Sequence, residues 1–476
     1  MKVPSSPGRR YLGGADWCVA ALSAGTTLTT GRRCMFLIAV HLDGAPDGAR
    51  IGQAFQGFCA RFPVLQGGPA RCWCLAPYWR QPAASDPARP APVGRMEQTQ
   101  RADTADLLRH VERLVNTRAA RAGWMAALDI VQAGREQCLL LFSFDHVLFD
   151  ADGAEAFIDL FIRHINGEAQ EADFPPARLT EDARLDQWLD KLRSGQKVNR
   201  MMRRLAAGDT ACLPLPDDAH RRPFRFRLMT FAPEESRRIE QKAFRVAGYL
   251  MLAPYLLATA SEVFLPLFDG RGASDFVVSV STDKPGTSRR IPHLFFNRLS
   301  FLYFQFPLGL ANDRDALAAE VRNQLVAQVR EGLPEAIEDS NLLMRILPAR
   351  GLWHFFMKLY RNRLSSFGFT CLGESVMRAT HLLGCPIRDR MHFPVIPAPP
   401  GLGLIFCRHH GVYHAVLSYI EGLVGESAID ALMARLRASL LAGGGNDAAS
   451  APGAPGGGAQ PVTDERSSSS SGSTPG

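Results

Sequence analysis

Between residues 138 and 165 an apolar run, a short acidic turn and a helix-type repeat follow one another, and this succession restricts the fold more than any other stretch. Cys138 to Phe144 is continuously apolar apart from Ser143, the pattern of a strand covered on both faces. Phe157, Ile158, Phe161, Ile162 and Ile165 then recur at helical spacing. The same kinds of segment stand upstream. Cys34 to Leu42 predicts a buried strand, and Ile51, Ala54, Phe55, Phe58, Cys59 and Phe62 predict a helix. Trp73 to Trp79 reads as a further strand, and Leu107, Leu108, Val111, Leu114 and Val115 as a second amphipathic helix.

A comparable series follows a break between about Gly167 and Arg222, where Pro175, Pro176, Pro214, Pro216 and Pro223 bracket a charged helical patch. Phe224, Phe226 and Leu228 alternate with Arg225 and Arg227, as in a half-exposed strand. Pro233, Glu234 and Glu235 open a helix, because a first-turn proline loses no hydrogen bond there and acids favour the positive helix end. Phe276 to Thr282 and Leu294 to Phe306 read as strands, and a helix starts around Asn312 and Asp315 and stops at Gly332. Leu402 to Cys407 and Val412 to Tyr419 form a hairpin about His409–Gly411, and Ile429, Leu432, Met433, Leu436 and Leu440 mark a closing helix. The expected class is therefore α+β with two similar halves: 1–170, a connector at 171–222, and 223–442. Residues 443–476 are mostly Gly, Ser, Ala and Pro, and read as a disordered tail.

Composition removes several function classes. The 476 residues include 10 Cys with no C-x-x-C pair, which argues against a structural zinc site or a disulfide scaffold and fits a reducing compartment. Cys72 and Cys74 share one face of a strand and read as packing residues. The net charge of +7 suits anionic partners such as phosphates, coenzyme A or an acidic carrier protein, yet no nucleic-acid motif accompanies it. The most apolar stretch, Gly248 to Phe268, contains Pro254, Glu262 and Pro266 and reads as a buried helix rather than a membrane span. Arg9-Arg10 hints at an export signal, but Asp16 and the polar run Ser23 to Thr30 break any apolar region behind it, so a soluble, cytoplasmic chain is expected.

The chemistry concentrates in Phe144-Asp145-His146-Val147-Leu148-Phe149-Asp150-Ala151-Asp152-Gly153. A His just past a strand end is held by a rigid element, and its imidazole titrates near neutrality, which is what a general base needs. Asp150 is placed to orient the loop. Other candidates are weaker. Adjacent His409 and His410 point to opposite faces of a strand, so with His414 they do not make a metal cluster. Arg203-Arg204 reads as a solvated helix face or a contact for an acidic carrier protein. There is no G-x-S-x-G elbow, phosphate loop or dinucleotide fingerprint.

His146-x-x-x-Asp150 in this strand–turn–helix setting resembles the HHxxxDG motif of the condensation-domain and coenzyme-A-dependent acyltransferase superfamily. Phe58 to Leu65 is similar to the helix end before that family's HPxLR stretch, and Ser279-Val280-Ser281 through Arg289-Arg290 to Phe296-Asn297-Arg298-Leu299-Ser300 is similar to its later strand and FxNxLxL sequence. Ser365 to Thr370 resembles its SN-G strand segment, and Leu417-Ser418-Tyr419 its C-terminal part, so the resemblance spans about residues 15–442. Asp145 replaces the first His of the pair, Ala151 the Gly, and Gln66 an Arg, so that the partner of Asp150 is left open. The resemblance implies two chloramphenicol acetyltransferase-like lobes forming a pseudo-dimer with a tunnel between them. It implies no bound cofactor and no metal. The co-substrate would be acyl-coenzyme A or an acyl-pantetheine carrier, and the acceptor an alcohol or amine. His146 would be catalytic, Asp150 would support the motif, and Asn297 and Ser366 would lie near the interface or substrate. Asp145 keeps a second reading open, a degenerate member that binds a carrier protein or partner enzyme without turnover.

Overall fold

The computed structural model describes residues 9–71, 76–82, 90–94, 97–99, 103–117, 123–134, 136–174, 188–249, 251–268, 272–283 and 293–442. Cys72, Trp73, Cys74, Pro175, Pro176, Arg289, Arg290 and the tail from 443 lie outside the described residues.

In chain order the elements are β1 (Arg9–Tyr11), α1 (Gly14–Thr30), β2 (Met35–Asp43), α2 (Gly48–Ala60), β3 (Gly68–Arg71), β4 (Pro77–Arg80), β5 (Glu97–Thr99), α3 (Thr104–Thr117), β6 (Ala126–Ala133), β7 (Gln137–Asp145), α4 (Ala151–Ile165) and α5 (Trp188–Ala207). There follow β8 (Phe224–Thr230), α6 (Pro233–Ala247), α7 (Leu252–Phe268), β9 (Asp275–Asp283), β10 (Leu299–Pro307), α8 (Arg314–Arg330), α9 (Leu333–Met344) and α10 (Ala349–Leu359). The chain closes with β11 (Gly368–Glu374), β12 (His381–Leu382), β13 (Cys385–Pro394), β14 (Leu402–His409), β15 (Val412–Ile420) and α11 (Glu426–Leu441). Among the described residues no single helix is long and apolar enough to cross a membrane.

Two six-stranded sheets organise these elements, in the orders β12-β13-β2-β7-β6-β5 and β10-β9-β11-β14-β15-β8, beside a small β1-β4-β3 sheet. The continuous apolar runs of β2 and β7 have a direct cause. Phe36, Ile38 and Val40 face a core that includes Phe55, Phe58, Phe157 and Phe161 of α2 and α4. The intervening Leu37 and Ala39, with Leu139 and Leu141, face Phe224, Phe226, Val416 and Ile420 of the second sheet. Both faces are therefore dry, and polar alternation has nowhere to point. A further core lies under α6, α7, α8 and α11, where β9 and β10 bury Phe276, Val278, Phe304 and Phe306.

Two features depart from the sequence-based outline. Residues 381–394 fall in the second half by sequence, yet β13 pairs antiparallel with β2, from Pro394 opposite Phe36 to Ile387 opposite Leu42. The strand expected from Leu294 begins only at Leu299, and residues 293–298 form a strap against the turn that follows β7. Both outer strands of the second sheet are covered by side chains that imitate a neighbouring strand. Gln328 exchanges bonds with the backbone of Tyr303 (2.9 and 2.7 Å), and Gln324 does the same for Gln305 (3.1 and 2.7 Å). At the other edge Asn116 pairs with the backbone of Phe224 (2.9 and 2.8 Å), and Glu112 accepts the Phe226 N–H (3.0 Å). These contacts occupy outward ladder groups at Tyr303, Gln305, Phe224 and Phe226, positions at which an edge strand would otherwise recruit another chain.

Helix α1 is fixed closely. A Cβ at Gly25 would stand 2.1 Å from the Trp353 ring, so only glycine lets α10 approach this far. The first N–H groups of α1, at Gly14 and Ala15, are taken by the Glu338 carboxylate of α9 (3.3 and 3.1 Å), a favourable charge at the positive helix end.

Candidate functional site

The turn 145–150 hangs from the end of β7, and each residue in it is tied. The His146 N–H donates to the Cys34 carbonyl (3.2 Å). The Asp145 carboxylate accepts the Val147 N–H (3.0 Å) and pairs with Arg33 at 2.7 Å. Asp145 is thus a turn-forming group paired with a guanidinium, an Asx-type local bond. The His146 imidazole stands edge-on to Phe36, with ring centroids 5.3 Å apart. Its Nδ1 is enclosed without a partner, while Nε2 is neither hydrogen-bonded nor buried and keeps access to solvent. That nitrogen is the one able to exchange a proton with a substrate.

Asp150 caps α4 through the Gly153 N–H (2.8 Å), an arrangement that satisfies one orphan donor of the first turn. Its carboxylate also meets His293 Nε2 at 2.9 Å from both oxygens and accepts the Arg298 N–H at 2.8 Å. Burial pushes this carboxyl upward, but the bond and charge of His293 and the two backbone donors outweigh it and hold it below the usual carboxylate range. The partner left open by the sequence is therefore His293. A Cβ at Gly153 would stand 3.0 Å from the Leu294 carbonyl, so the strap lies directly on the helix start.

Strap 293–298 holds the turn along its whole length. The Phe296 N–H donates to the Leu148 carbonyl (2.6 Å), and Phe296 adopts φ 72°, a left-handed conformation that an aromatic residue rarely takes. Such strain costs about 1–3 kcal/mol and persists only where the surroundings over-determine it. Here Arg10 stacks 3.6 Å from the ring centroid and Trp79 meets its edge at 5.6 Å. Asn297 then sends Nδ2 to the carbonyls of His146 (3.1 Å) and Val147 (3.4 Å), while Asp16 of α1 accepts the Asn297 N–H at 2.8 Å. The chain Asp16–Asn297–His146 joins α1, the strap and the imidazole-bearing turn. Ser366 is placed elsewhere: its N–H and Oγ bond the carbonyl and N–H of Val277 (2.7 and 3.0 Å), stitching the approach to β11 onto β9.

Five residues beyond Asp150, Glu155 anchors α4 to β13. Its carboxylate meets His392 at 2.7 Å and Arg390 at 3.0 Å, and accepts Ser375 Oγ and the Val376 N–H, both at 2.9 Å. Burial opposes ionisation there, yet Arg390, His392 and the Val376 N–H bring the carboxyl down to about 2. His409 is buried in β14, His410 is exposed in the turn, and His414 bonds Asp389 and Thr230 (2.9 and 3.0 Å). Among the described residues no three ligand-type side chains are arranged to hold a metal.

Sequence reasoning missed His293, Asp16 and Arg33. Their roles arise from chain segments meeting across long separations, which leave no periodic trace. A buried acid in the first turn of a helix, as at Asp16, is the only local hint.

No protein-family model matches the sequence, and no curated protein is similar to it in sequence. Solved structures are similar in fold. The TRI3 trichothecene 15-O-acetyltransferase from Fusarium sporotrichioides matches with a TM-score of 0.67 at 11% identity, over 91% of this chain and 94% of that one. The first condensation domain of the calcium-dependent antibiotic synthetase, in complex with a substrate analogue, gives 0.61 at 15% identity over 91% and 96%. Polyketide synthase associated protein 5 from Mycobacterium tuberculosis gives 0.58 at 12% identity over 92% and 99%. This chain has the fold they share, an α+β architecture of the condensation-domain and acyltransferase kind.

Proposed function

We propose that this chain, which carries the condensation-domain fold, transfers an acyl group from a thioester to an alcohol or amine, with His146 as the catalytic residue. The observation that carries the reading is the one ring nitrogen of His146 open to solvent, on a turn clamped by the strap and by Asp16 through Asn297. Nε2 would take the acceptor proton as the acceptor oxygen or nitrogen bonds to the thioester carbonyl carbon. The resulting oxyanion collapses, the C–S bond breaks, and the thiolate recovers that proton from the imidazolium. No proton or electron is left over. Asp150 acts through the turn and is a positioning residue, as is Asn297. A general base of this kind contributes about 10²–10⁴-fold.

The donor is acyl-coenzyme A or an acyl chain on a carrier protein's pantetheine arm, and no bound cofactor is invoked. The halves 1–170 and 223–442 act as the lobes flanking the tunnel in this reading, with 171–222 between them. The cytoplasm, where such thioesters are made, is the compartment it assigns. The engagement of Asp145 with Arg33 and Val147 supports turnover over a silent binding role, because the replacement serves the turn and leaves the second imidazole in place.

The test is product formation, read by mass spectrometry, from a panel of acyl thioesters with alcohol and amine acceptors. The full chain should give product, and His146→Ala should reduce the rate 10²–10⁴-fold. Equal rates for the two proteins would remove the assigned role. Absence of product from both, with tight binding of a carrier protein, would favour the silent binder instead.

A further inference from the structure

Helices α5 and α10 carry a surface that the acyl-transfer reading does not use. Helix α5 holds Lys191, Arg193, Lys197, Arg200, Arg203 and Arg204, and no acid occurs between Asp190 and Asp209. No acid occurs between Asp339 and Glu374 either, a segment that contains α10 together with Arg345, Arg350, Lys358, Arg361 and Arg363. The two helices meet at their C-terminal ends. The Tyr360 hydroxyl touches Met202 Sδ, and Arg363 after α10 pairs with Asp209 just beyond α5. Arg361 follows Tyr360, and Arg203 and Arg204 follow Met202, so three cations flank that contact.

Elsewhere surface cations are answered by acids, as Arg225 is by Glu112 and Glu421 and Arg227 by Glu426 and Asp430. On α5 Arg193 pairs with Asp190 at 2.9 Å, and Lys197 lies 3.9 Å from Glu331. Arg200, Arg203, Arg204, Arg350, Lys358 and Arg361 are exposed and have no acidic partner among the described residues. Such a cluster repels itself and attracts an anionic surface. Large apolar side chains stand in the open among these cations. Leu189 and Ile346 are each 61% exposed, and Phe355 is 48% exposed. Leu352, Trp353, Phe356 and Met357 turn toward the core, which leaves Phe355 on the outer side of α10 with His354 and Lys358. Val198, Met202 and Leu205 do the same for α5 and leave Arg200, Arg203 and Arg204 outside. Each exposed apolar residue has a cation three or four positions on: Arg193 after Leu189, Arg350 after Ile346, and Lys358 after Phe355. Leu189 to Arg203 alone spans about 21 Å of helix at 1.5 Å per residue.

We propose that the α5–α10 face docks the protein on an anionic phospholipid bilayer, lying in the headgroup layer without crossing it. The unpaired cations meet the headgroup phosphates, and Leu189, Ile346 and Phe355 enter the acyl boundary beneath them. The dispersion of the apolar residues favours a bilayer over an acidic protein. Protein hot spots gather large side chains in one packed centre, whereas these are spread along two helices with charge between them. The docking does not depend on the acyl-transfer reading, because none of its residues belongs to the His146 turn or the strap.

The test is co-sedimentation of the full chain with extruded vesicles of phosphatidylcholine, alone or in equimolar mixture with phosphatidylglycerol. The wild type should bind the mixed vesicles at least about tenfold more tightly than the neutral ones, and added salt should weaken the binding. A cation at an anionic leaflet is worth about fivefold, so Arg203→Gln, Arg204→Gln and Arg361→Gln together should cost about 30–100-fold. A control removes the same charge elsewhere: Arg50→Gln, Arg378→Gln and Arg435→Gln, at exposed cations likewise without an acidic partner among the described residues, should bind as the wild type does. Ile346→Ser with Phe355→Ser should cost about 3–10-fold while the salt dependence stays. Circular dichroism reports the fold of each variant. No binding of the folded wild type to the mixed vesicles would overturn the docking. Equal losses in the two triple variants would reduce it to bulk charge, and unchanged binding of the double Ser variant would show that nothing enters the acyl boundary; either refutes the proposal. Capture of an acidic carrier protein through Arg203, Arg204 and Arg361, with the mixed vesicles left unbound, would assign the face to a protein and overturn the bilayer.

Discussion

Replacing Asp150 strikes the point where the strap, the helix start and the imidazole-bearing turn meet. Asp150 is 8% exposed, and its carboxylate satisfies the N–H groups of Gly153 and Arg298 and the ring of His293. Asp150→Ala leaves all three donors without an acceptor. Each buried, unsatisfied donor costs about 1–3 kcal/mol, and loss of a helix cap costs about 0.5–2 kcal/mol. Partial relaxation brings the expected total to about 3–5 kcal/mol, comparable to breaking a buried ion pair. That is a large share of the 5–15 kcal/mol typical of whole domains, so Asp150→Asn is the working variant. It keeps an oxygen for one backbone donor and should cost about 1–3 kcal/mol. Urea unfolding measures the loss, and turnover should fall more than substrate affinity because only the turn is displaced. The effect carries a pH signature. The native carboxyl is held below its ordinary value, so the unfolded chain binds the proton more readily. The stabilisation is complete above the unfolded value near 3.9 and is lost as pH falls through the lower native one. Asp150→Asn should erase that component. A variant that folds with an unchanged urea midpoint would refute the clasp.

Two further outcomes are expected. Glu155 sits at about 2 against an ordinary 4.5, a gap worth roughly 3 kcal/mol at about 1.4 kcal/mol per tenfold; unfolding titrations should show this stabilisation in full above pH 4.5, fading toward pH 2, and missing in Glu155→Gln. Asn297→Ala frees the His146 and Val147 carbonyls and leaves the Asp16 bond to the backbone, so thermal unfolding should register about 1–3 kcal/mol while kcat drops with KM held.

Much of the architecture was legible because it is written in local periodicity. The runs at Cys34–Leu42 and Cys138–Phe144 became β2 and β7, and the spacing from Phe157 to Ile165 became α4. The hairpin about His409–Gly411 is β14 and β15, with His410 at φ 47° and Gly411 at φ 78°. The turn carrying His146 was legible for the same reason, being bounded by a strand and a helix with clear patterns. Segment 293–298 was not, because Leu294, Phe295 and Phe296 are apolar enough to imitate a strand although the Phe296 N–H donates to a turn rather than to a ladder. The donation of β13 to the first sheet was equally hidden. Cys385-Pro386-Ile387-Arg388-Asp389-Arg390 breaks the apolar alternation because Arg390 is buried against Glu155, and nothing local announces a buried guanidinium. Asp150's partnership with His293 depends on that tertiary course and has no counterpart in spacing.

Strand β13 has a consequence for how such a molecule moves. It is a seam: the polypeptide leaves the second sheet, is sewn into the first along β2, and returns to build β14 and β15. Prising the halves apart would tear that seam, so any opening that admits bulky reactants must come from bending elsewhere, with the stitched edge as the fixed spine. A fragment ending near residue 222 would likewise leave the rim of β2 bare, an adhesive flank.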